Sequence, residues 1–365
     1  MRYLFGVLCV CALGVVPLVG CSETAGTGGS GGDGGGGGAG GDGGTGGSNS
    51  AVFPCNEQGI NDAIALGGGP HTFDCVGAQT VVTEAEIVID NDVVLDGEGN
   101  LTVSGDEQHG VFQVLEGVTA ALRDLVVTDG GDPFPASGGA GIWNHGGNLS
   151  LTGITVSNSK CGFGCVGGGI RNGGTLLLVG STVSGNLADA GGGIHNDNEA
   201  TMTLVNSTVS GNSGGAISNQ STLELINSTL LGDFQIMDTN DVFSVTITNT
   251  LIIGMCALDA PDSSPRPPDS GGYNIESPGD TCGFDQTGDQ PGVTAEALNL
   301  GELANNGGPT LTHKPGAGGF GFDSAAIDKI PEAACYLDSD QRDQRRPSAS
   351  DPRCDVGSVE VGPAL

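Results

Sequence analysis

Basic residues are few: 11 Lys and Arg stand against 43 Asp and Glu, for a net charge of −32. That deficit excludes nucleic acid as a partner and excludes lying flat on an anionic bilayer. Aromatic residues are also scarce, at 4%, with Trp143 the single tryptophan, which argues against an extended carbohydrate platform. Beyond Leu18 there is no apolar run long enough for a membrane span. Charged residues reach only 15%, which fits a β surface rich in Gly, Ser, Thr and Asn better than a helical one.

What is present starts with an export signature. Arg2 precedes an apolar run from Leu4 to Leu18, and small residues lead to Cys21. That run is too short and wrongly flanked for a membrane span, so residues 1–20 read as a signal peptide. The segment Leu18-Val19-Gly20-Cys21 resembles the lipobox of bacterial lipoproteins, which implies cleavage before Cys21 and acylation of that residue. Two or more acyl chains on one Cys would anchor the chain stably. Ser22 in the next position favours the outer membrane. Residues 21–50 continue as a glycine-rich tract that cannot bury apolar surface. It reads as a flexible tether with a reach of roughly 30 Å. Loss of the signal removes Arg2 and no acid, and takes the net charge to −33.

Cysteine usage agrees with export. Once Cys9, Cys11 and Cys21 are set aside, eight remain, an even number that reads as a disulfide framework. Sequential pairing is expected: Cys55 with Cys75, Cys161 with Cys165, Cys256 with Cys282, and Cys335 with Cys354. Zinc at Cys161 and Cys165 lacks a nearby Cys or His pair to complete four ligands.

The body carries a repeat. Ile142, Ile170, Ile194 and Ile217 recur at spacings of 28, 24 and 23 residues, each inside Gly-Ile-x-Asn or Ala-Ile-x-Asn. Two short alternating runs follow each one, such as Leu176-Leu177-Leu178 and Ser181-Thr182-Val183. Three short strands per unit of this length define a solenoid in which each repeat is one turn. Weaker turns extend upstream through Val93–Leu95, Leu101–Val103, Val111–Gln113 and Leu122–Val127, and downstream through Val245–Ile253, giving roughly seven to nine turns. Alternation sends the Ile inward, the x residue outward and the Asn to a corner. Asn at a corner stacks into a ladder, with further ladders expected at Asn158, Asn186 and Asn212 and at Asn206, Asn227 and Asn249. Residues 55–75, with a helix-like stretch from Ile60 to Leu66, read as the N-terminal cap.

Three strands per turn, parallel stacking and asparagine corners resemble the right-handed parallel β-helix, so the expected fold is all-β. Gly214-Gly215-Ala216-Ile217 is similar to the GGAI repeat of chlamydial polymorphic outer-membrane proteins, although that family's Phe-x-x-Asn element is missing. From Gly271 the pattern changes. The set Gly271-Gly272-Tyr273-Asn274, Leu300 to His313, Ser324 to Asp328, Asp340-Gln341-Arg342, Arg346-Pro347 and Cys354 to Glu360 closely resembles the choice-of-anchor Q domain of bacterial surface β-helix proteins. The expected division is therefore a β-helix with its cap over 51–270 and a choice-of-anchor Q-like capping domain over 271–365. That resemblance implies no catalysis. His313, Asp328, Asp340, Arg342 and Asp355 read as ion pairs locking a cap.

Polysaccharide enzymes occur on β-helices, but fold analogy is not a site. Glycoside hydrolysis needs two carboxyl groups about 5–9.5 Å apart. The outward column that the repeat defines is Trp143, Arg171, His195 and Ser218, begun by Phe112, and it holds no carboxylate. The Asn-Thr-Asp, Asp-Asp, Gly-His-Gly and Arg-Ile-Lys motifs of polygalacturonases are absent. Lyase chemistry would want a base beside a cation, for which Arg171 or Lys160 with Asp189, Asp197 and Glu199 is the candidate cluster, and Ca²⁺ the candidate ion. No other cofactor and no catalytic residue is expected. The column suits binding: Trp143 offers a flat face and Arg171 and His195 offer donors. The expectation is thus a monomeric, lipid-anchored protein of the cell envelope with an adhesion or ligand-binding role toward a polysaccharide or another surface protein. The competing classes are a polysaccharide-degrading enzyme and a structural envelope component without a ligand.

Overall fold

The computed structural model describes residues 49–132, 139–237, 244–259, 266–319, 323–348 and 351–362. Cys21 and the glycine-rich tract before Asn49 lie outside them. The architecture is a parallel β-solenoid of about nine turns. Its first sheet runs from Val52–Phe53 and Gly68–Phe73 through Asn148–Thr152, Thr175–Val179 and Thr201–Val205 to Asp269–Gly272. The second begins at Gln79–Val82 and ends at Ile275–Ser277, passing through Thr155–Ser157, Thr182–Ser184, Thr208–Ser210 and Thr229–Leu231. The third stacks Ile87–Ile89, Phe112–Val114, Ile142–Asn144, Ile170–Asn172, Ile194–Asn196, Ile217–Asn219, Phe234–Met237 and Cys256–Asp259.

Alternation explains the core. Ile142, Ile170, Ile194 and Ile217 are fully buried and in register. Each such side chain contributes about 1.5–3 kcal/mol relative to an exposed one. The third-sheet corner holds the asparagine ladder: Asn144 Nδ2 donates to Asn172 Oδ1 (2.7 Å), Asn172 to Asn196 (2.7 Å) and Asn196 to Asn219 (2.8 Å). In the ladder that follows the second sheet, Asn186 donates to Asn212 Oδ1, but Asn158 does not take part. Ser159 holds that place instead, its backbone N–H donating to Asn186 Oδ1, because Asn158 turns the corner at φ 54° one residue earlier. Asn206, Asn227 and Asn249 all turn their corner in the left-handed region, at φ 47°, 47° and 55°. Asn tolerates that conformation. Among these three, Asn249 Nδ2 reaches Asn227 Oδ1 at 3.3 Å, while Asn206 Nδ2 donates to Ser339 O.

The apolar core is covered at both ends. Helix α1, Glu57–Leu66, is N-capped by Asn56, whose side chain accepts from Gly59 N. It lays Ile60, Ala63 and Ile64 over the first turn and is tied down by Cys55–Cys75. Cys256–Cys282 and Phe284 cover the other end of the core. The bridges Cys161–Cys165 and Cys335–Cys354 complete the four disulfides.

The C-terminal segment departs from the expected arrangement in two ways. Strands Asp269–Gly272 and Ile275–Ser277 complete the last turn, so the solenoid crosses the 270/271 boundary drawn from sequence. Most of the remainder does not sit on the open end. It runs back along the outer face of the second sheet as a strap. Thr182 Oγ1 donates to Leu311 O, Gln341 Nε2 to Ser181 O, and Ser358 N to Thr229 Oγ1. His313 is buried with Nδ1 2.7 Å from Gly301 O and Nε2 2.8 Å from Ser210 Oγ, and burial lowers its pKa. The Thr and Ser residues that alternation turns outward on this sheet are thereby hydrogen-bonded instead of hydrated, which offsets their desolvation.

The strap is locked by charge. Arg342 Nη2 pairs with Asp340 Oδ2 (2.6 Å) and also donates to Glu360 O. Arg346 is fully buried, with Nη1 on Asp355 O (2.8 Å) and 3.5 Å from Glu360 Oε2, and Nη2 on Gly357 O (2.6 Å). Asp355 Oδ1 accepts from Asp328 N, and its Oδ2 from Val361 N.

Candidate functional site

The third sheet carries the outward column. Its registry is Gln113, Trp143, Arg171, His195, Ser218 and Gln235 on successive strands. Phe112 does not begin it. That residue pairs with Ile142 and lies in the core, and the outward neighbour of Trp143 is Gln113. A one-residue shift along a strand reverses every side chain, which is why Phe112 points in and Gln113 out.

The column is not uniformly open. Trp143 and Arg171 are partly exposed, but His195 is only 3% exposed and Ser218 is fully buried. At Ser218 the glycine-rich turn before the preceding strand packs against the outward side chain. A Cβ on Gly191 would lie 3.1 Å from Ser218 Cβ, and one on Gly167 would lie 2.9 Å from Arg171 Cβ. Only glycine lets the backbone approach so closely. Ser218 and His195 therefore leave the accessible binding face expected from sequence.

His145 and Asp197, each one residue past the end of its strand and two past Trp143 and His195, build the rest of the cluster. His145 stacks on Trp143, ring centroids 4.6 Å apart at 28°. The Arg171 guanidinium lies 6.0 Å from the Trp143 ring centroid. Asp197 accepts from Arg171 Nε at 2.9 Å and from His195 Nε2 at 3.1 Å. Burial alone would raise the Asp197 carboxyl, but the bonds from His195 and Arg171 and the Arg171 charge outweigh it and hold the pKa below the usual value. Asp197 is thus a carboxylate at neutral pH and fixes Arg171 through Nε. Among the described residues neither Nη of Arg171 has a hydrogen-bond partner, so its outer edge is open to a ligand acceptor.

Of the expected cluster of Arg171 or Lys160 with Asp189, Asp197 and Glu199, Arg171 and Asp197 come together and the other members go elsewhere. Asp189 Oδ2 accepts from Gly164 N on the Cys161–Cys165 loop, Asp197 belongs to Arg171 and His195, and Glu199 sits at a turn with φ 65°. Lys160 pairs with Glu107. Among the described residues no group of three or more His, Cys, Asp or Glu is placed to hold a metal ion, and no helix is long and apolar enough to cross a membrane. His145 and the positioning role of Asp197 escaped the sequence reading. Their signal in the sequence is position: each directly follows the corner asparagine of a column strand.

No protein-family model matches the chain, and no curated protein matches it. Among solved structures, the crystal structure of pectate lyase Pel9A is similar, with a TM-score of 0.40 and 11% identity over 86% of this chain and 97% of that one. Likeness at that level transfers no residue role, and the fold stated above rests on the strand registers.

Proposed function

We propose that the chain is an exported, lipid-anchored envelope protein whose third-sheet face binds a glycan at Trp143 and Arg171 without cleaving it. One observation carries the reading: the chain's single tryptophan, His145 and an arginine pinned by Asp197 converge on neighbouring turns, and among the described residues the arginine's terminal nitrogens have no hydrogen-bond partner. An aromatic face supplies apolar contact to a sugar ring, and the Nη groups supply donors for hydroxyl or carboxylate oxygens. The column from Gln113 to Gln235 contains no carboxylate, and Asp197 is committed to Arg171 and His195, which favours holding a sugar over hydrolysing it. The lipobox-like Cys21, the glycine tract and the disulfides fit display at a surface.

Glycan-array retention tests the reading. Wild-type protein is expected to be retained on a subset of glycans, and Trp143→Ala to lose that retention with its melting temperature nearly unchanged. Retention by Trp143→Ala, a silent array, or the appearance of shortened products would each contradict it.

A further inference from the structure

The two ends of the second sheet are finished differently. At its last strand, Glu276 N donates to Gln290 O (3.1 Å), Gln290 N to Asn274 O (2.8 Å) and Val293 N to Glu276 O (3.1 Å), so residues 290–293 cover the open edge. At its first strand, Gln79–Val82, the described residues pair on one side only, with Leu101 to Ser104. Parallel strands bond through alternate residues. Thr83 N donates to Ser104 O (3.0 Å), so residues 79, 81 and 83 serve the sheet, and Thr80 and Val82 turn their N–H and C=O groups to the open side. Glu84 is the next residue on that side. Its N–H is accepted by Glu57 Oε2 of helix α1 at 2.8 Å, a side chain standing where a neighbouring strand's carbonyl would be.

Between this edge and α1 runs a groove of about 570 Å³. Val82 is 55% exposed beside it, and Thr80 is exposed as well. The charged residues lining the groove are Glu57 and Glu84, and the whole chain is strongly acidic. Exposed edges are usually blunted by a lysine, a proline or a bulge, and Gln79–Val82 carries none of these three. We propose that the groove between Gln79–Val82 and α1 binds an extended peptide carrying Lys or Arg, which adds to the sheet as a strand. Backbone bonds to Thr80 and Val82 hold the peptide, and its cations meet Glu57 and Glu84. A second copy of this chain would bring the same two acids against their like, which disfavours self-pairing.

The test is fluorescence anisotropy on the full chain with a short labelled peptide alternating lysine and valine. Saturable binding is expected, together with loss of binding when alternate peptide amides are N-methylated or when glutamate replaces lysine. Val82→Pro removes an N–H on the open side and leaves the bonds to Leu101–Ser104 in place, so it is expected to weaken binding roughly tenfold while keeping the thermal transition. The proposal is overturned by absence of binding, by equal affinity of Val82→Pro, or by binding that appears only after residues 22–48 are removed. It is overturned equally by a wild-type dimer in sedimentation that Val82→Pro dissolves.

Discussion

Replacing Arg346 by Met is expected to destabilise the protein by roughly 3–5 kcal/mol, the usual cost of removing one partner of a buried ion pair. Arg346 is the cation nearest two buried acids, Asp355 and Glu360, and also donates to Asp355 O and Gly357 O. Met fills much of the volume but leaves both acids facing each other. Burial, and then the Glu360 charge, already push the Asp355 carboxyl up to about 7, and burial raises Glu360 as well. A carboxyl whose folded pKa is raised binds its proton more tightly when folded. Its stabilising contribution is full below the unfolded value, about 3.9, and is lost as pH rises through about 7. The deficit of Arg346→Met is therefore expected to be larger at pH 8 than at pH 5, as measured by denaturant midpoints at both. Hydrogen exchange should show the loss in residues 340–361 first, with the third-sheet turns still protected. A deficit independent of pH would mean that the acids do not drive it.

Asn196→Asp is expected to cost roughly 3 kcal/mol or more at neutral pH. Asn196 accepts from Asn172 Nδ2 and donates to Asn219 Oδ1 (2.8 Å) and Thr222 O (3.1 Å), and the three asparagines are fully buried. An aspartate can still accept but cannot donate, so it turns a charge and lone pairs on two acceptors. Ser218→Ala, one strand away, is the internal comparison. Ser218 Oγ is buried without a hydrogen-bond partner among the described residues, so its removal should move the melting temperature little. Equal shifts for the two substitutions would show that the ladder carries no special energy.

These contrasts show what the sequence could and could not reveal. The inward isoleucines and the Asn144–Asn219 ladder were legible because both follow from alternation and a fixed repeat, which are local rules. The strap was not. Gln341 reaches Ser181 and Ser358 reaches Thr229 across well over a hundred residues, and no period links them. The site was half legible. Trp143 and Arg171 stand where the repeat put them, whereas His195 is buried and Ser218 lies under a glycine turn whose path depends on φ angles such as 56° at Gly191. Composition signals that such turns exist but not which side chains they cover.

Trp143 is the chain's only tryptophan, so its emission reports the proposed site directly. Titrating the protein with array-positive oligosaccharides is expected to change Trp143 fluorescence saturably, with the ligand recovered intact afterwards. Binding that leaves the emission flat, or recovery of cleaved ligand, would contradict a glycan-holding face at Trp143 and Arg171.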